Sequence, residues 1–210
     1  MKAMIFDFDG TLANTLPNAF QAFQEVFKSY DQKEITSDDI KAMFGPPEQE
    51  IILRNLAHEN KEEAVERFYK LYEDRHQELV KPDEEISGML QSLKERGTKI
   101  GIVTGKSRRG LDISLKALEM DIEFDAVVTG DDVNEAKPAP EGIQRALAEM
   151  DAQPEHAMYI GDSDADIEAG LAAGVYTVGV QWLPEFQTAE FKKGPHAVYT
   201  TVRDFRREHG

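Results

Sequence analysis

A chain of 210 residues can bury a sizeable core and has room for one domain plus an insertion. With 40% hydrophobic and 30% charged residues it reads as globular rather than disordered. Lys and Arg number 24 against 40 Asp and Glu, and a formal net charge of -16 argues against nucleic acid or an anionic membrane as partner.

The first strand is expected from about Ala3 to Phe8, where Asp9-Gly10 supplies turn residues. Asp7 and Asp9 also interrupt the apolar run before it could serve as a signal peptide. With no cysteine and no run long enough to span a membrane, a cytoplasmic protein is expected. A helical block follows. Phe20, Phe23, Phe27 and Tyr30 recur at helical spacing, and Thr36-Ser37-Asp38 starts a second helix that Gly45-Pro46-Pro47 interrupts. Ile51, Ile52, Leu53 and Leu56 mark a third helix, and Val65, Phe68, Tyr72 and Leu79 a fourth.

Past Pro82 the pattern alternates. A helix stopping at Gly97 precedes a buried strand over residues 99–104, then a helix containing Leu111 and Leu118. Further strands are expected over 125–129, 157–160, 175–180 and 197–200, with helices between them and a basic helix at the end. Strands alternating with helices predict a parallel sheet, with the helical block inserted at its carboxyl edge, where such folds bind ligands.

Two carboxylates two residues apart at the end of a buried strand raise each other's pKa, so Asp7 and Asp9 need a cation or a shared proton. Taken alone, Asp9-Gly10 reads equally as an ordinary turn. The other strand ends carry Thr104-Gly105, Lys137-Pro138 and Gly161-Asp162-Ser163-Asp164-Ala165-Asp166, which one sheet edge would gather together. Asp162 and Asp166 lie one helical turn apart and offer oxygen ligands that suit Mg²⁺.

In combination and order these four motifs resemble the haloacid dehalogenase superfamily, specifically its phosphoglycolate phosphatase-like branch with a helical cap. The resemblance implies an α/β fold, a Rossmann-like three-layer parallel sheet core (1–15 and 81–210) carrying a four-helix cap (16–80). It further implies a Mg²⁺-dependent phosphatase for small phosphorylated metabolites. By resemblance Asp7 is the nucleophile that forms an aspartyl-phosphate, and Asp9 is the acid for the leaving group and then the base for water. Thr104 and Gly105 donate to phosphoryl oxygens, and Lys137 supplies the fixed positive charge. The implied metal ligands are Asp7, the Asp9 main-chain carbonyl and Asp162, with Asp166 ligating or orienting a bound water. Lys106 beside Thr104, and Arg54 in the cap, are candidate substrate contacts, each with a solvated surface charge as the plainer reading.

Two lookalikes fail. Residues 162–166 begin like a calcium loop, but Ile167 and Ala173 stand where it needs Gly and Glu. Residues 101–107 are one residue short of a P-loop. Ala13-Asn14-Thr15 and Glu84-Glu85 depart from the commoner family residues near the expected hinges, at 13–16 and 80–83, and so bear on cap geometry. The same core also serves β-phosphoglucomutase-like mutases. Phospho-accepting regulatory domains use a similar Asp, Thr and Lys but lack both the cap and an acid like Asp9.

Overall fold

The computed structural model describes residues 1–209. Six strands, β1 (Ala3–Phe6), β2 (Lys99–Val103), β3 (Ala126–Val128), β4 (Ala157–Gly161), β5 (Tyr176–Val180) and β6 (Ala197–Tyr199), form one sheet. Its order is β3-β2-β1-β4-β5-β6, and every pairing is parallel. The register sets Phe6 between Ile102 and Ile160. The strand order reverses between β1 and β4, which makes the carboxyl end of β1 the crevice of the sheet.

Side chains of β1 alternate between two apolar layers, as strand geometry requires. Met4 and Phe6 join a cluster with Ile86 and Leu90 of α5 (Glu84–Glu95), Leu111 of α6 (Arg108–Ala117) and Phe205 of α9 (Val202–His209). Ala3 and Ile5 join the opposite cluster with Ile143 of α7 (Glu141–Glu149) and Ala169 of α8 (Asp164–Ala173). The three-layer α/β core is as expected. β1 ends two residues earlier than its apolar run suggests, because the Phe8 carbonyl accepts the amides of Thr11, Leu12 and Ala13 and turns the chain.

Between β1 and β2 lie α1 (Leu16–Asp31), α2 (Ser37–Lys41), α3 (Glu48–Asn55) and α4 (Lys61–Leu79), a helical cap with a core of its own. Phe20, Phe23 and Phe27 of α1 meet Phe68 and Tyr72 of α4 in that core. Thr36 starts α2 with a capping box, its hydroxyl accepting from the Asp39 amide at 3.1 Å. Among the described residues no helix is long and apolar enough to cross a membrane.

The cap rests on α6 through buried polar contacts. The Tyr72 hydroxyl lies 2.8 Å from Ser114 Oγ, and His76 Nε2 lies 3.0 Å from the same atom. Burial, helped by the Lys106 ammonium, pushes the His76 imidazole down to about 4. Between pH 6.5 and 4 the unfolded chain therefore takes up a proton that the folded chain refuses at His76, and this group's contribution to stability is lost as pH falls through that window. From pH 7 to 5 the loss is about 2 kcal/mol. Urea midpoints should accordingly fall further on acidification for the wild type than for His76→Gln. Parallel slopes would show that the ring is not held neutral.

Candidate active site

Asp7 leaves β1 with its amide donating to the Ile160 carbonyl at 2.8 Å, so the sheet itself aims this side chain at the rim. Asp162 stands at the matching end of β4, where Oδ1 accepts from Thr11 Oγ1 at 3.2 Å and Oδ2 from the Gln187 amide at 2.7 Å. Gly10, at φ +82, is required here for two reasons: the positive φ, and a Cβ that would overlap the Asp162 carboxylate. Asp166 occupies the first turn of α8, inside a capping box with Ser163. One carboxylate oxygen from each of Asp7, Asp162 and Asp166 falls within 4.8 Å of the others, and all three residues are buried.

Lys137 closes the group, with Nζ 3.0 Å from Asp7 Oδ1 and 2.6 Å from Asp166 Oδ1. Burial pulls its pKa down, but Asp166 and then Asp7 hold it well above the usual lysine range, so the ammonium stays charged. One ammonium does not balance three acids. Burial pushes Asp7 up to about 7 against the pull of Lys137, with Asp166 and Asp9 adding to the rise. Burial, then Asp166 and Asp7, push Asp162 well above the carboxylate range. Such a cluster is short of positive charge, which is the condition a divalent cation relieves.

Asp166 differs from the other two. Its Oδ1 accepts from Lys137 and from the Tyr159 hydroxyl at 2.9 Å, and its Oδ2 from the Ser163 amide at 3.0 Å. Both Asp166 oxygens are thus engaged by donors within the protein. Asp7 Oδ1, by contrast, is buried without a hydrogen bond of good geometry.

A cavity of about 320 Å³ opens over these residues. Asp7, Asp9, Thr104, Gly105, Lys106 and Lys137 line its floor, and Leu16, Phe23, Phe44, Lys41 and Glu48 of the cap line its roof. Thr104 directly follows β2, with its amide donating to the Val128 carbonyl at 3.0 Å. Lys106 lies 3.2 Å from Asp9 and 3.1 Å from Glu48. Arg54 is exposed, ion-paired with Glu50 on its own helix, and does not line the cavity.

A haloacid dehalogenase-like hydrolase profile matches residues 4–180. The chain belongs to that family. It is 37% identical over 182 residues to the pyrophosphatase PpaX of Anoxybacillus flavithermus, covering 87% of this chain and 84% of the relative. A putative haloacid dehalogenase-like hydrolase from Bacteroides fragilis superposes with a TM-score of 0.80 at 30% identity, covering 97% of this chain and 99% of that one. CbbY from Rhodobacter sphaeroides, in complex with phosphate, shares the fold with a TM-score of 0.83 at 23% identity, covering 98% and 96%. This haloacid dehalogenase-like hydrolase is thus an enzyme of the phosphatase kind, with a helical cap and a buried aspartate triad able to hold a metal.

Sequence reasoning passed over several residues of the site. Tyr159 reads as an ordinary strand aromatic, although a buried tyrosine needs a partner for its hydroxyl. Glu48 reads as an acid favouring a helix start, yet it is buried and faces Lys106. Ser163 and Thr11 carry only the signal of polar residues beside motif aspartates.

Proposed function

We propose that the protein is a Mg²⁺-dependent phosphatase for small phosphorylated compounds, working through an aspartyl-phosphate on Asp7. The observation that carries this reading is the meeting of Asp7, Asp162, Asp166 and Lys137 at the carboxyl end of the central strand. An Asp7 oxygen forms the new O–P bond as the bond to the leaving oxygen breaks, and that oxygen takes a proton from Asp9. Water then attacks phosphorus, Asp9 takes its proton, and the Asp7 O–P bond breaks to release phosphate. Thr104 and Gly105, which line the cavity, would donate to the phosphoryl oxygens, and the charged Lys137 would face the same group. Asp7, the Asp9 carbonyl and Asp162 would hold Mg²⁺, with Asp166 orienting a water, and the ion would supply the missing positive charge. The block 16–80 acts as the lid over the site, excluding water.

A cavity of this size favours a compact substrate such as phosphoglycolate. Inorganic pyrophosphate stands beside it as a second reading, because the 37% identical relative carries the name pyrophosphatase. The deciding measurement is kcat/KM on a panel holding both compounds, together with glucose 1-phosphate as a probe for mutase activity. Hydrolysis should stop in EDTA and return with Mg²⁺. Turnover that persists in EDTA would falsify the metal assignment, and isomerisation without phosphate release would favour a mutase.

A further inference from the structure

Lys106 follows the Thr104-Gly105 turn, yet its ammonium does not reach solvent: the side chain is 2% exposed. It is enclosed in the seam between sheet and cap. Asp9 Oδ1 lies 3.2 Å away on the sheet side. Glu48 Oε1 lies 3.1 Å away on the first turn of α3, and the Tyr72 ring centroid of α4 lies 4.4 Å away. The other Glu48 oxygen accepts from the Ser107 amide at 2.7 Å, so this cap acid grips two successive residues of the core. Two carboxylates from opposite sides of the seam share one ammonium. Its charge is already matched, so it offers no net attraction to an incoming anion.

The consequence falls on Asp9. Its Oδ1 accepts from Lys106 and also from the Thr15 hydroxyl, while no described residue donates to Oδ2. A carboxylate pinned through one oxygen presents the other in a fixed direction. We propose that Lys106 is a positioning residue that fixes the Asp9 carboxyl for proton transfer only while Glu48 and Tyr72 of the closed cap hold its ammonium. When the cap lifts, both partners leave with it. The ammonium then regains water and rotamer freedom, and Asp9 keeps only its Thr15 tie. Closure thereby assembles the acid–base group rather than merely covering it. This inference rests on the phosphatase reading.

The test compares Lys106→Met, Glu48→Gln and the double variant on two esters, phosphoglycolate and para-nitrophenyl phosphate, by single-turnover release of the leaving group. Nitrophenolate departs without a proton, whereas the alkoxide of glycolate needs one. Loss of Asp9 positioning should slow the phosphoglycolate step about 100-fold and the nitrophenyl step less than about tenfold. KM should stay near the wild-type value, and the double variant should be no slower than Lys106→Met alone. Equal losses on both esters would reduce Lys106 to a structural role, and a raised KM with unchanged kcat would make it a substrate contact. Either result overturns the proposal. Hydrogen exchange gives a second readout that needs no turnover. Amide protection over residues 45–55 should fall in Lys106→Met, and unchanged protection there would refute the coupling to the cap. Wild-type protein inert toward both esters would instead sink the phosphatase reading, while the exchange measurement still decides the latch.

Discussion

Asp7→Asn should abolish turnover, by at least about 10⁴-fold in kcat, while making the metal-free protein harder to melt. The loss follows because an amide cannot serve as the attacking oxyanion. The gain follows from the sign of the Asp7 shift. A folded-state pKa raised to about 7 means that the native chain holds a proton that the unfolded chain has released. The Asp7 contribution to stability therefore falls as pH rises from about 4 through 7. Asparagine never ionises and escapes that loss. Thermal melts in EDTA at pH 8 should place Asp7→Asn several degrees above the wild type. Retained hydrolysis would remove Asp7 as nucleophile, and a lower melting point would mean that its pairing with Lys137 outweighs burial and repulsion.

The second large effect is expected at Lys137. Its ammonium lies between Asp7 and Asp166 and also donates to the Tyr159 hydroxyl at 3.2 Å. Lys137→Met leaves two buried carboxylates facing each other, a break worth about 3–5 kcal/mol. For a chain of this size that lowers the melting temperature by roughly 10 °C. Turnover should drop by about 10²–10³-fold if, as proposed, this ammonium is the fixed charge facing the phosphoryl group. Lys137→Arg should recover part of the stability but little of the rate, since a planar guanidinium does not fit a pocket shaped around a compact ammonium. A methionine variant as stable and as active as the wild type would show that the pair contributes nothing in either respect.

The core of this site was legible because its residues follow strand ends. Asp7, Thr104 and Asp162 sit at or just past the ends of apolar runs, and a parallel sheet delivers such positions to one edge whatever lies between them. Asp166 follows from helical spacing. What stayed hidden depends on how the cap lands on the sheet. Nothing local in Glu48 or Lys106 announces that residues 58 positions apart will form a buried pair, and each alone reads as an ordinary charged helix or loop residue. Arg54 shows the converse: its position on α3 suggested reach into the site, but that stretch of the helix faces solvent. Tyr159 was masked by its type, since strands accept tyrosine for its ring and only the fold reveals where the hydroxyl points.

The central place of β1 also sets an order of events during synthesis. Its hydrogen-bonding neighbours, Lys99–Val103 and Ala157–Gly161, leave the ribosome long after Ala3–Phe6. At roughly 5–20 residues per second, the nascent strand waits seconds for its first partner and longer for its second. Through that interval the four inserted helices, which share a buried apolar cluster of their own, can collapse first. Asp7, proposed above as the nucleophile, is thus translated well before β2 and β4, and its surroundings are completed only when those later strands have emerged.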